Sequence, residues 1–168
     1  MERKNQKEVI VDLGAGFNPR LSTNVIVDLN RNPNLKGIKF IKHDLNKLPL
    51  PFKDYSVDKF FMYQCMEHLD CNTEDFLKDI FRCLKTHGTI ILNVPNSLCW
   101  TYRLEYLFGI IPSDFVIFHK KHFTFNSIFI LLRNSGLQVK PRKNLFIFLP
   151  FKNIFLRNIN VEAIKIQC

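Results

Sequence analysis

An aspartate and a glycine-rich bend, Asp12-Leu13-Gly14-Ala15-Gly16, close the short apolar run Val9-Ile10-Val11. Lacking a Cβ, Gly14 and Gly16 permit a tight turn and let a ligand approach bare backbone. The dinucleotide fingerprint asks for a further glycine or alanine two positions after Phe17, where this chain has Pro19, and this disfavours a nicotinamide or flavin. Two more carboxylates stand in equivalent places. Asp28 follows Val25-Ile26-Val27 and suits a pair of ribose hydroxyls, and Asp44 follows the apolar run at 38–41 and suits the exocyclic amino group of a purine. Acid, glycine bend, acid and acid describe a nucleoside site with no provision for a pyrophosphate. The plainer reading, loop aspartates and turn glycines, leaves their shared order and context unexplained.

The elements that must hold these groups are legible from periodicity. Fully apolar runs bounded by turn residues predict strands at 9–11, 25–27, 38–41, 57–63 and 89–94, several ending on an acid. Between the fourth and fifth, Phe76, Leu77, Ile80, Phe81 and Leu84 recur at helical spacing, predicting a helix over 73–85 capped by Asn72 or Thr73 and stopped by Gly88. A second helix is predicted over 124–134, with Thr124 as cap and Gly136 as stop, followed by strands at 137–140 and 160–167. Strands alternating with helices imply an α/β, doubly wound, mainly parallel sheet of seven strands, which binds ligands beyond the carboxyl ends of its strands. Only residues 13–23 and 29–37 link the first three strands, and Pro19 and Pro33 interrupt them, so these crossovers are too short for ordinary helices. Right-handed crossover puts both on one face, which must then be covered otherwise. The apolar, Phe-rich segment 145–156, a second copy of the chain or a heteromeric partner are the candidates. Basic residues interleaved in that segment make a membrane surface a lesser one.

With 168 residues, 46% of them hydrophobic and 23% charged, the chain is read as one domain over 1–168. No apolar run approaches the roughly 20 residues that span a bilayer, and the N-terminus lacks the pattern of a signal peptide. The five cysteines form no C-x-x-C pair, so reduced thiols in a cytoplasmic protein are expected rather than a disulfide framework or metal cluster. The net charge of +9 is uneven: residues 1–96 carry 14 basic and 12 acidic side chains, residues 97–168 carry 10 and 3. Such a field favours an anionic partner, although coding bias gives the same excess.

At this point the sequence resembles the class I S-adenosylmethionine-dependent methyltransferases, over roughly residues 8–140. Residues 9–16 resemble the family's first motif, Val25-Ile26-Val27-Asp28 its second, and His43-Asp44-Leu45 its Asp-Leu segment. Tyr55-Ser56-Val57-Asp58 through Met66-Glu67-His68-Leu69 resembles the fourth strand and the Glu-His turn after it, and 77–96 and 122–137 resemble later units. The resemblance implies a Rossmann-like sheet with S-adenosylmethionine as cofactor. It implies further that Gly14 and Gly16 line the methionine part, Asp12 orients its amino group, Asp28 holds the ribose and Asp44 the adenine amino group. Leu45 would pack near the base, and Gln64 would contact the cofactor through its backbone. Asn18 replaces the third glycine of the family's motif, so backbone approach there differs.

A sulfonium methyl is already activated, and its transfer needs an acceptor held at near-attack distance in a dry site. A base is needed only for a hydroxyl or protonated amine. His68, His119 and His122 are the candidates, with Glu67 behind them; the alternative is that they are loop histidines bonded locally. Some relatives bind a divalent ion through Glu-x-x-Glu-His, but Gln64 stands in place of the first glutamate, so no metal is expected. The aromatic stretch at 97–121, with Trp100, Tyr102, Tyr106, Phe108, Phe115 and Phe118, is expected to form a lid over the acceptor or a packing cluster. The expected acceptor is small or conjugated, anionic ones included. An RNA acceptor is the second reading and a non-catalytic cofactor-binding or scaffold subunit the third. An aminopurine DNA acceptor is disfavoured, because no Asn/Asp-Pro-Pro-aromatic tetrad follows the fourth strand.

Overall fold

The computed structural model describes residues 7–33, 35–111, 119–140 and 156–166. Its strands are β1 (Ile10–Leu13), β2 (Val25–Asp28), β3 (Lys39–Lys42), β4 (Val57–Tyr63), β5 (Leu84–Pro95), β6 (Leu137–Val139) and β7 (Asn158–Lys165). They form one seven-stranded sheet in the order β3-β2-β1-β4-β5-β7-β6. Strand β7 runs antiparallel between β5 and β6, and the pairs among β1 to β5 are parallel. The expected α/β, Rossmann-like architecture is therefore present. Strand order reverses beside β1, whose Leu13 pairs with Val27 on one side and Met62 on the other, so the switch point falls at the Asp12–Gly16 bend.

Helix α1 (Thr73–Cys83) begins where Asn72 Oδ1 accepts the N–H groups of Glu74 at 2.9 Å and Asp75 at 3.2 Å. It stops earlier than its periodicity suggests, because Leu84 is already extended and pairs with Val57. Gly88 is thus not a helix stop. It sits inside β5, where a Cβ would lie 2.9 Å from Lys85 O and 3.2 Å from Asp58 O. Helix α2 (Trp100–Leu107) follows β5, and α3 (Phe125–Asn134) precedes β6. Thr124 and Ser127 close a reciprocal cap on α3. Beyond its last turn Gly136 adopts φ +84°, and a Cβ there would lie 3.1 Å from the Phe81 ring of α1.

The main core lies between one sheet face and helices α1 and α3. Val11, Leu13, Val27, Phe60, Met62, Ile90 and Leu92 meet Phe76, Leu77, Ile80, Ile128 and Leu132 there, all essentially inaccessible. Each such side chain contributes about 2 kcal/mol of transfer free energy. The opposite face carries Ile10, Ile26, Phe40, Phe61 and Tyr63, which alternate with the core residues along their strands. Neither 14–24 nor the described part of 29–38 contains a helix, in agreement with the shortened crossovers. Loops do the covering instead. Leu35 and Ile38 share a crevice with Ile26 and Phe40, and the Arg20 guanidinium lies 4.0 Å from the Tyr63 ring centroid.

Within the expected lid, α2 buries Tyr102 and leaves Leu107, Phe108, Ile110 and Ile111 exposed. Residues 112–118, including Phe115 and Phe118, lie outside the described residues, as does the candidate covering segment up to 155. No helix among the described residues is long and apolar enough to cross a membrane.

Candidate functional site

Three strand tips converge at the switch point. Gly14, at φ +67°, donates its N–H to Val27 O at 2.9 Å, fastening the bend leaving β1 to the end of β2. A Cβ on Gly14 would collide with Cys65 Sγ and lie 3.7 Å from Leu45 Cδ1. The segments after β3 and β4 thus both close on this glycine. Gly16, at φ +54°, faces open space and donates its N–H to Asp28 Oδ2 at 3.2 Å. Asp28 Oδ1 accepts from Asn30 N–H at 3.2 Å. A carboxylate offers about four lone-pair directions, so Asp28 is fixed at the glycine bend with acceptor capacity to spare.

Asp12 is only 2% exposed, and its Oδ2 accepts the Arg20 N–H at 2.9 Å. Burial pushes its carboxyl up to about 6, aided by the charge of Asp28 and opposed by the Arg20 hydrogen bond and charge. A cavity of about 270 Å³ opens against it, lined by Asp12, Gly14, Ala15, Phe17, Asn18, Arg20, Tyr63, Gln64 and Asn93. Asp28, Asp44 and Leu45 do not line this cavity. Asp28 reaches it through Gly16, between the lining residues Ala15 and Phe17, and Leu45 through its approach to Gly14. Asp44 Oδ1 accepts from Asn46 N–H at 3.0 Å, shaping the loop that presents it.

Gln64 follows β4 at φ +47°, and its N–H donates to Asn93 O at 2.8 Å. Its side-chain amide donates to Asn93 Oδ1, and the Asn93 amide donates onward to Asn160 Oδ1. An amide ladder therefore crosses from the end of β4 through β5 to β7 at the cavity wall. Arg20, Tyr63 and Asn93 are wall residues that sequence reasoning misses. Tyr63 and Asn93 carry a usable signal in falling near the ends of the strands predicted at 57–63 and 89–94; nothing in the sequence marks Arg20.

Beyond Gln64 the chain makes a 3-10 turn, Met66–His68. Glu67 is completely buried within it, and neither carboxylate oxygen accepts a hydrogen bond among the described residues. Burial raises its pKa, opposed by the polarity of its own backbone amide and by the neighbouring His68. The Glu67 carbonyl accepts the N–H groups of Lys120 at 2.9 Å and Lys121 at 3.1 Å. Lys120 reaches Asp70 Oδ2 at 2.6 Å, and Lys121 reaches Cys71 O and Thr73 Oγ1. These clasps bring the His119 ring centroid within 5.0 Å of that of His68. His122, exposed, is not part of this cluster.

Residues 12–92 match the model of a family described as a methyltransferase domain. No curated protein matches the chain. Among solved structures, a methyltransferase from Methanosarcina mazei is similar at 20% identity and TM-score 0.66, covering 98% of this chain and 95% of its own. One from Archaeoglobus fulgidus aligns at 14% identity and TM-score 0.68, over 95% and 87%. Another, from Haloferax volcanii, was solved in complex with the Trm112 methyltransferase activator, and aligns at 16% identity and TM-score 0.64 over 96% and 83%. Family match and strand order agree: over residues 12–92 the chain is similar to a methyltransferase-domain family, and its sheet has the fold of the class I S-adenosylmethionine-dependent methyltransferases.

Proposed function

We propose that the chain transfers the sulfonium methyl of S-adenosylmethionine to an oxygen, nitrogen or carbon of a small or conjugated acceptor. The observation that carries this is the Asp28 carboxylate fastened to Gly16 N–H beside a cavity lined by Asp12, Gly14 and Gln64. The fit to the cofactor is chemical. Gly14 lines the cavity with bare backbone, backed on its other side by Cys65 and Leu45, and buried Asp12 offers a carboxylate to the cationic amino-acid end. Asp28 would accept the ribose hydroxyls, the second Asp44 oxygen the adenine amino group, and Leu45 would pack near the base. Gln64 would contact the cofactor through its backbone.

When bound, the cofactor supplies an electrophilic methyl whose C–S bond breaks as the acceptor bond forms. The protein's task is then positioning and exclusion of water. A hydroxyl or ammonium acceptor also loses a proton, for which His68, His119 and His122 are the candidate bases. The activator complex of the Haloferax relative favours a heteromeric partner for this chain too. The described cysteines are free thiols, which supports a reducing, cytoplasmic setting.

Calorimetry with S-adenosylmethionine tests the reading. Micromolar binding that Asp28→Ala weakens supports it, and absence of heat with the intact chain sinks it. Binding without turnover on any acceptor identifies a regulatory subunit. A steep salt dependence of RNA retention would move the acceptor to nucleic acid.

A further inference from the structure

We propose that Glu67, His68 and His119 form a binding site for a first-row divalent cation of the zinc type. In the sequence alone Gln64 stands where a carboxylate is missing, and no metal is expected. The fold instead commits Gln64 to the Asn93 amide ladder and supplies a ligand from another loop, His119. One ligand atom from each of Glu67, His68 and His119 lies within 4.8 Å of the other two. His68 Nε2 stands 4.0 Å from Glu67 Oε1. Zinc bonds of about 2.0–2.1 Å place tetrahedral ligands about 3.4 Å apart, so closure needs ring and carboxylate movements of about 1 Å.

A second observation points to a ligand. The Glu67 side chain is wholly buried, yet neither of its oxygens accepts a hydrogen bond among the described residues. A buried carboxylate without donors is costly, and a structure retains one where a cation or proton satisfies it. Access is open, because the His68 side chain is 40% exposed. The arrangement is held from both sides, since the Glu67 carbonyl binds the two residues that follow His119.

The donor set decides the class of ion. Two imidazole nitrogens and one carboxylate oxygen suit zinc, cobalt and neighbouring first-row ions, whereas magnesium and calcium demand oxygen-rich shells. Three protein ligands leave at least one coordination position for an oxygen donor, water or an acceptor hydroxyl.

The test is a titration of the full chain with Co²⁺, followed by its visible d–d absorption and by competition with Zn²⁺. It needs no S-adenosylmethionine, so its result is independent of the methyl-transfer reading. Expected are one ion per chain, displacement by Zn²⁺ and no displacement by excess Mg²⁺. Glu67→Gln and His119→Ala should each weaken binding by about 100-fold or more, beyond the about 10–100-fold typical of groups that only orient metal ligands. His87→Asn, at an exposed position of β5, should leave binding unchanged. Glu67→Gln keeps the shape of the side chain, and circular dichroism checks that the variant folds. Zn²⁺ should raise the melting temperature of the parent chain but not that of Glu67→Gln. An intact chain that gives no cobalt spectrum overturns the proposal. So does cobalt binding of equal strength in Glu67→Gln, which would place the ion elsewhere, for instance on the thiols.

Discussion

Gly14 and Gly16 share one bend but make different demands on it. At Gly14 the left-handed backbone coincides with a side chain in the way, whereas at Gly16 nothing lies within 4 Å. Gly16→Ala is therefore expected to cost about 1 kcal/mol from its backbone conformation alone. Gly14→Ala should cost at least about 2 kcal/mol, because Cys65 must also move; urea denaturation separates the two. Asp28→Ala removes the acceptor that orients Gly16 N–H and should weaken S-adenosylmethionine binding about 10–100-fold, in line with a hydrogen bond to a charged group. Asp12 adds a pH signature. Its carboxyl rises from 3.8 to about 6 on folding, so between those values the native state holds a proton that the unfolded state has lost. Stability from this group is then greatest at low pH and falls as pH rises through about 6, by at most about 3 kcal/mol. Asp12→Asn should flatten that slope. In the parent chain cofactor affinity should grow from about pH 5 to about pH 7 as the carboxylate forms against a cation.

Between elements, one side chain ties α1 to the loop that follows the Asp44 turn. Arg82 Nη1 donates to Phe52 O at 2.9 Å and to Asp54 Oδ1 at 2.7 Å, and Arg82 Nε donates to Asp79 Oδ1 at 2.7 Å. Asp79 Oδ2 in turn accepts Leu50 N–H at 2.6 Å, and Leu50 is buried. Removing the guanidinium leaves partly buried carbonyls and a carboxylate without their donor. Arg82→Ala is accordingly expected to destabilise by about 2–3 kcal/mol. Asn72→Ala, which removes only the α1 cap, should cost about 1 kcal/mol. Chemical denaturation of both variants checks the ranking.

Across the whole molecule the site is spread over strand tips joined through the sheet, so filling it should stabilise the sheet as a unit. At a ligand concentration about 100 times Kd, mass action contributes about 2.7 kcal/mol. For a chain of this size that raises the melting temperature by about 5–10 °C, which scanning calorimetry with S-adenosylmethionine will read. The charge of +9 makes polyanion binding steeply salt-dependent. Cofactor binding through buried Asp12 and backbone, as proposed, should change little over the same range of salt.

The acids at the tips of β1 and β2, the glycine bend, and helices α1 and α3 with their Asn72 and Thr124 caps were legible from residue order. Apolar alternation, helical spacing and capping act between neighbours in the chain, so their signal is local. The early end of α1 was not legible, because Leu84 leaves the helix to pair with Val57, and propensity carries no record of that partner. The Arg20 stack on Tyr63, the ladder from Gln64 through Asn93 to Asn160, and the meeting of His68 with His119 were equally hidden. Each joins residues far apart in sequence, and strand order, register and the clasp on the Glu67 carbonyl bring them together. Local composition thus determined which chemistry the strand tips could offer, while long-range packing decided which of those groups share a cavity.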